Sequence, residues 1–252
     1  MILGNGRPNG QFTPCELCPL RKRTGLREFS KEELEFVKAF KIDELRVDPG
    51  ISFLREGARS EHLYTVLRGW AFRYKMLDDG RRQILNYALP ADMVGLQGTL
   101  MQEMQHSVEA LTPLILCVFP RAKLWDLYSR LPSLAFDVTW LAAREEQLID
   151  ENLVSLGRRT ALERTAFLLL HLFLRAEEAG LVKDASIQLP FTQQHVADTL
   201  GMSLVHTNKT LKRLFLTNVV RWKDRTFEVL DRAELTRIAG SSITQHSSRP
   251  FI

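Results

Sequence analysis

Cysteine is scarce in this chain. Three residues in 252, an odd number, cannot build the disulfide framework of a small secreted fold, and such usage fits a reducing compartment. Long hydrophobic runs are missing as well. The apolar stretch "LERTAFLLLHLFLRAEEAG" is interrupted by charge and falls short of the ~20 residues needed to span a bilayer. The opening "MILGNGRPNGQF" lacks the charged start and apolar centre of a secretory signal, so a cytoplasmic, non-membrane protein is expected. Enzyme signatures are absent too. There is no His-x-His for a cupin metal site, no HExxH, no glycine-rich phosphate loop and no Ser–His–Asp spacing. The single CxxC, Cys15 and Cys18, precedes the first capped helix instead of following a strand, which argues against a thiol oxidoreductase. No enzymatic activity is expected.

What the chain does contain is ordered in blocks. Residues 1–14 are rich in Gly, Asn and Pro and read as loose. "FSKEELEFVKAF" carries a Ser cap with Glu33 at the capping-box position and apolar residues at helical spacing. The period then changes. "LRVDPGISFLREG", "HLYTVLRGWAFRYKML", "RRQILNYALPADMVG" and "HSVEALTPLILCVFP" are short strand-like runs separated by glycine turns, with a hairpin at Asp79-Gly80. They predict a closed or double-sheet β-roll over about 47–119. Helical period returns at "PRAKLWDLYSR" and continues over 131–156. There Leu134, Leu141 and Leu148 recur every seven residues with Val138 interleaved, and Glu145 and Asn152 extend the second series. A seam of that length suits a two-helix dimer contact; packing on the chain's own roll is the alternative. A further helix over 160–179 stops at Gly180.

Charge is uneven. Residues 157–252 hold 14 Lys and Arg against 9 Asp and Glu, and the remainder holds 20 against 21, so the net +4 resides in the C-terminal third and points to an anionic partner there. "FTQQHVADTLGMSLVHTNKTLKRL" lies within that third. Thr192 can cap a helix over 193–200, Gly201 supplies a tight turn, and Ser203 caps a second helix that buries Leu211 and Leu214. Val205, His206, Asn208, Lys209, Lys212 and Arg213 are left for its outer faces. Asn can pair with adenine edges and Lys with guanine, while Ser, His and Arg can hold phosphates. "NVVRWKDRTFEVLD" then reads as a two-stranded wing, 219–222 and 226–230, tipped by Lys223, Asp224 and Arg225. Helix-turn-helix plus basic-tipped hairpin is a winged helix, and double-stranded DNA is the expected partner.

The order of roll, long helix and winged helix resembles the cAMP receptor protein/FNR (Crp/Fnr) family of transcription regulators. "LYTVLRGWAFRYKMLDDGRRQILNYALPADMVGL" and "FTQQHVADTLGMSLVHTNKTLKRL" carry the likeness. It implies an α+β chain divided into an N-terminal arm (1–28), a cyclic-nucleotide-binding-like double-stranded β-helix (29–130), a dimerisation helix (131–156), a winged-helix reader (157–240) and a tail (241–252). It also implies a homodimer on a near-palindromic site, with RNA polymerase as a further partner. By position, Val205, Asn208 and Lys209 would face bases, and Thr192, Gln194, Ser203 and His206 would meet the DNA backbone. Val205 departs from the Glu common in relatives and could touch only a thymine methyl.

Two family sensors can be compared with the residues. The cyclic-nucleotide cassette pairs a Glu with an Arg. Here Gly95 is followed by Leu96, and His106-Ser107 stands at the Arg-Ser place, so no tight cAMP or cGMP binding is expected. Arg81 and Arg82 read as surface charges. The other sensor is an iron-sulfur cluster held by four thiolates. Cys15, Cys18 and Cys117 match three positions, and about Thr24 falls at the fourth. Cys117 can equally be a buried small hydrophobe, and the CxxC a family remnant, a redox pair or half a zinc site. The effector stays open, and the alternative to a regulator is a ligand-binding roll or redox protein that reads no DNA.

Overall fold

The computed structural model describes residues 12–23, 25–240 and 249–252. Residues 1–11 of the loose opening, Thr24, and residues 241–248 of the expected tail lie outside them. Two short 3-10 turns, Cys15–Leu17 and Pro19–Lys22, lead to α1, Lys31–Phe40. The capping box forms as read: Ser30 Oγ accepts from the Glu33 amide at 3.1 Å, and a Glu33 carboxylate oxygen accepts from the Ser30 amide at 2.7 Å.

The roll follows as β1 (Asp43–Val47), β2 (Ser52–Leu54), β3 (His62–Arg68), β4 (Ala71–Met76), β5 (Arg82–Ala88), β6 (Met93–Val94), α2 (Leu96–Met101), β7 (Ser107–Ala110) and β8 (Leu114–Pro120). The strands form two antiparallel four-stranded sheets, ordered β1-β8-β3-β6 and β2-β7-β4-β5. Alternate apolar side chains meet between them, among them Val66, Ala71, Val108 and Leu116. Gly69 links β3 to β4 at φ +90°, and a Cβ there would sit 2.3 Å from the Pro113 carbonyl oxygen, so only glycine fits.

After a 3-10 turn, Arg121–Lys123, come α3 (Leu124–Arg130) and the 27-residue α4 (Pro132–Arg158). Here one expectation needs correcting. Leu134, Val138, Leu141 and Leu148 are buried within the single chain; the first three pack with Phe119, Leu124 and Leu127. The heptad stripe faces the chain's own interior and is not the dimer seam. Its polar members also turn inward: Glu145 pairs with Arg73, and Asn152 Nδ2 donates to the Leu85 carbonyl at 2.9 Å. A different stripe of α4 faces outward, with Phe136 67% and Leu153 69% exposed beside Ile149 and Val154.

The last third contains α5 (Ala161–Glu178), β9 (Ser186–Gln188), α6 (Gln193–Leu200), α7 (Leu204–Leu216), β10 (Val220–Lys223), β11 (Thr226–Val229) and α8 (Arg232–Ala239). The wing is three-stranded, ordered β10-β11-β9. The third strand, only three residues long, gives too little alternation to read. Helix α8 was missed although Asp231 caps it by accepting from the Glu234 amide. α5 is buried on nearly every side, because it packs under α7 and α8 and also against the roll: Trp70, Phe72, Ile84 and Tyr87 share one core with Phe167, Leu170, Leu211 and Leu235.

The segment read as a tail returns to the roll in its last four residues. Arg249 forms a parallel bridge with Leu26, donating its amide to the Gly25 carbonyl at 2.7 Å and accepting from Arg27 at 2.8 Å. Phe251 stacks on Phe29 at 4.7 Å, and Thr65 Oγ1 donates to the Ile252 carbonyl.

Candidate nucleic-acid interface and roll cavity

The first helix of the reader, α6, begins at Thr192, whose Oγ1 accepts from the His195 amide at 3.4 Å while His195 Nδ1 accepts from the Thr192 amide at 3.1 Å. A histidine thus takes the place usually held by Glu or Gln in a capping box. Val196, Ala197 and Leu200 are buried, and Gly201 ends the helix at φ +59° in the left-handed region. Ser203 Oγ then accepts from the His206 amide at 3.2 Å and starts α7.

On α7, Thr207, Thr210, Leu211 and Leu214 point inward. Val205, His206, Lys209, Lys212 and Arg213 are exposed, and the three cations make no ion pair among the described residues. Val205 is 67% exposed, an apolar side chain in water at the start of the helix. Asn208 differs from expectation: it is half-buried, and its Oδ1 is enclosed without a hydrogen-bond partner among the described residues. Its position one residue after inward Thr207 puts it at the margin of the outer face. Gln194 is exposed and donates to Asp198 at 2.6 Å. The wing tip is exposed, with Asp224 and Arg225 both in the left-handed region at φ +49° and +67° as a two-residue hairpin turn requires.

Arg82 is not a free surface charge, in correction of its sequence reading. It reaches from the roll hairpin to α6, pairing with Asp198 at 2.8 Å, and lies over the Phe72 ring at 5.0 Å. Gln83 donates to the Thr199 carbonyl at 2.9 Å, and the Tyr87 and Thr199 hydroxyls bond at 3.0 Å. Arg81 is exposed and pairs with Asp79.

A cavity of about 660 Å³ lies between the roll and α4, a size ordinary for small-molecule sites. Its body is apolar, with Leu85, Leu96, Leu100, Leu141 and Ile149. One end is polar. There the buried Asp92 accepts from Arg175 Nη2 at 2.6 Å, from the Leu89 amide at 2.6 Å, and from Arg249. Burial alone would raise the Asp92 pKa; Arg249 and Arg175 outweigh it and hold the carboxylate ionised. Arg175 also donates to Asn86 Oδ1 at 2.7 Å, and Arg73 donates to the Met93 carbonyl at 2.7 Å and to Glu145. His106, at the cassette position, is pushed down to about 4 by burial and by Arg73 and Lys75, so near neutral pH it offers no positive charge.

The three cysteines approach one core, Cys117 within it and Cys15 and Cys18 against it. They do not fit a four-thiolate cluster. Only three thiols are present, Thr24 lies outside the described residues, and among the described residues no three His, Cys, Asp or Glu are placed to hold a metal ion. Burial pushes the Cys117 thiol up to about 12 and raises Cys15 as well, which keeps both protonated.

Comparison with known proteins agrees with this anatomy. Residues 44–130 match the cyclic nucleotide-binding domain and residues 163–238 the Crp-like helix-turn-helix domain. The chain is 30% identical over 237 residues to the nitrogen fixation regulation protein FixK of Bradyrhizobium diazoefficiens, covering 93% of this chain and 96% of that one. It is 29% identical over 230 residues to a probable transcriptional activator of Rhizobium leguminosarum bv. viciae, covering 91% and 94%. In fold it is similar to FixK2 from Bradyrhizobium japonicum, with a TM-score of 0.72 over 80% of this chain and 98% of that chain at 24% identity. No helix among the described residues is long and apolar enough to cross a membrane. Roll, long helix and winged reader, matched over nearly their whole length by these relatives, make the chain a member of the Crp/Fnr family of transcription regulators.

Proposed function

We propose that the chain binds double-stranded DNA as a homodimer and regulates transcription in response to a small molecule held in the roll cavity. The observation that carries the reading is the outer face of α7. Three cations with no ion pair among the described residues, Lys209, Lys212 and Arg213, stand on a helix capped by Ser203 and backed by Leu211 and Leu214. Such a rigid, cationic, solvent-facing helix suits a major groove. In this reading Val205, Asn208 and Lys209 face bases, and Thr192, Gln194, Ser203 and His206 meet phosphates. The exposed stripe of α4, with Phe136, Ile149 and Leu153, is the seam between two copies, and RNA polymerase is the further partner at the promoter. The signal is other than cAMP, because the cassette carries Leu96 and a neutral His106 in place of an acid and a cation.

Selection of bound sequences from a random pool, followed by a gel shift at rising salt, tests this. A near-palindromic site and a steep loss of affinity with salt are expected. Lys209→Ala should weaken binding to the selected site by roughly 1–3 kcal/mol and relax its base preference. Unchanged affinity and preference would remove Lys209 from the base-facing set, and failure to enrich any sequence would refute the reading as a whole.

A further inference from the structure

Two of the side chains assigned above to the DNA backbone, Thr192 and Gln194, are held from the roll. Gln194 Nε2 donates to Asp198 Oδ1 at 2.6 Å, and Asp198 in turn pairs with Arg82 of β5 at 2.8 Å. Thr192 is held by His195. The Thr192 amide donates to His195 Nδ1 at 3.1 Å, and the Thr192 hydroxyl lies 2.9 Å from the same nitrogen. An amide can only donate, so Nδ1 carries a lone pair and the ring is neutral with its proton on Nε2. The His195 ring meets the Phe72 ring of β4 edge-on at 5.5 Å, and Arg82 lies over that same Phe72 ring at 5.0 Å. The Tyr87 hydroxyl of β5 donates to the His195 carbonyl at 3.4 Å. A Glu or Gln at this place would supply the cap acceptor without a ring to pack on Phe72.

We propose that His195 is a positioning residue: it fixes the phosphate-facing first turn of α6 and ties that turn to the roll, so that a change in the roll reaches the DNA contact through this ring. The DNA half of this statement rests on the function proposed above; the tie to the roll does not. The arrangement tolerates only the neutral ring. A proton on Nδ1 would face the Thr192 amide, donor against donor, would add positive charge at the positive end of the α6 dipole, and would stand beside Arg82. The charged groups beside the ring are Arg82 of β5 and Asp198 of its own helix. Burial and Arg82 prevail over Asp198 and hold the ring below the usual histidine range. The cap is therefore complete near neutral pH and is lost as pH falls through the ring's depressed titration.

Nitrogen NMR of the ring, with gel shifts of the full chain on the selected DNA site, tests this. The neutral ring should show Nε2 protonated and Nδ1 bare. Arg82→Met, which leaves Asp198 unopposed, should move the ring's titration upward. His195→Ala should bind the site about fivefold more weakly near neutral pH, the usual worth of a cap bond. His195→Gln, a cap acceptor that does not titrate, should bind there as the unaltered chain does. On acidification the ratio of the unaltered chain's affinity to that of His195→Gln should fall through the ring's own titration, a ratio in which the titration of every other group cancels. A ring protonated on Nδ1 near neutral pH, or a titration indifferent to Arg82→Met, would overturn the tie to the roll. An affinity unchanged in His195→Ala, or a ratio flat across the ring's titration, would overturn the positioning role and leave DNA binding intact. Should His195→Ala not fold, the ratio with His195→Gln decides. If no DNA sequence is enriched, the positioning of a DNA contact falls with the DNA reading, and the ring measurements still decide the tie.

Discussion

His171 on α5 is buried beside Phe167, with ring centroids 5.6 Å apart and nearly parallel. Burial, then Arg175 and Arg144, push its pKa down to about 3, against only partial help from Asp92. Unfolded, the same ring takes a proton near 6.5. Between those values the unfolded chain holds the extra proton, so stability is lost as pH falls below about 6.5, at up to about 1.4 kcal/mol per pH unit for one histidine. His106, pushed down to about 4, acts in the same direction. Denaturant unfolding at pH 7 and pH 5 should therefore show acid destabilisation, and His171→Phe should recover roughly 2 kcal/mol of the difference. An identical pH profile in the variant would show that the ring does not titrate as its surroundings dictate. Other residues were legible from sequence because their partners are close along the chain. Ser30, Thr192 and Ser203 each accept from an amide three residues on, a relation fixed by helix geometry alone.

At the scale of elements, α4 shows where periodicity stops informing. A repeat of seven in Leu134, Leu141 and Leu148 states that one face is apolar, but not which neighbour covers it. The roll and α3 cover it, and the outward stripe, interrupted by Thr139, Glu146 and Asp150, was too irregular to compete in the sequence. The two faces make opposite predictions. Leu141→Ala should lower the unfolding free energy of the chain by about 2–5 kcal/mol, the usual cost of a buried cavity. Leu153→Glu should leave that energy within about 0.5 kcal/mol once the variant is monomeric, yet shift the sedimentation profile from dimer to monomer. A Leu153→Glu protein that stays dimeric would place the seam elsewhere. The strand-like runs between β1 and β8 were readable because glycine turns punctuate short alternating stretches; α2 within that span, β9 and α8 were not, since each is short.

Across the whole molecule, roll and reader are joined by one core and by ion pairs that include Asp92 with Arg175 and, nearer the surface, Arg82 with Asp198, whose side chains are 22% and 13% exposed. A partly buried pair backed by the Phe72 ring should couple more than an open surface pair. A double-mutant cycle of Arg82→Met and Asp198→Asn, read by denaturant unfolding, should give a coupling of about 1 kcal/mol. Additive effects would mean that the hairpin and α6 touch without holding one another.

Sequence by itself determined the caps at Ser30, Thr192 and Ser203, the turns, the change of period from helix to strand and back, and the charged outer face of α7. These depend on hydrogen bonds and side-chain spacing within a few residues, so they are written where they act. Tertiary structure decided which face of α4 is covered, that Arg82 meets an aspartate 116 residues away, and that Arg249 meets Asp92 across 157. Burial and Coulomb energy depend on distance through space and on exclusion of water, and neither quantity exists until the chain has folded.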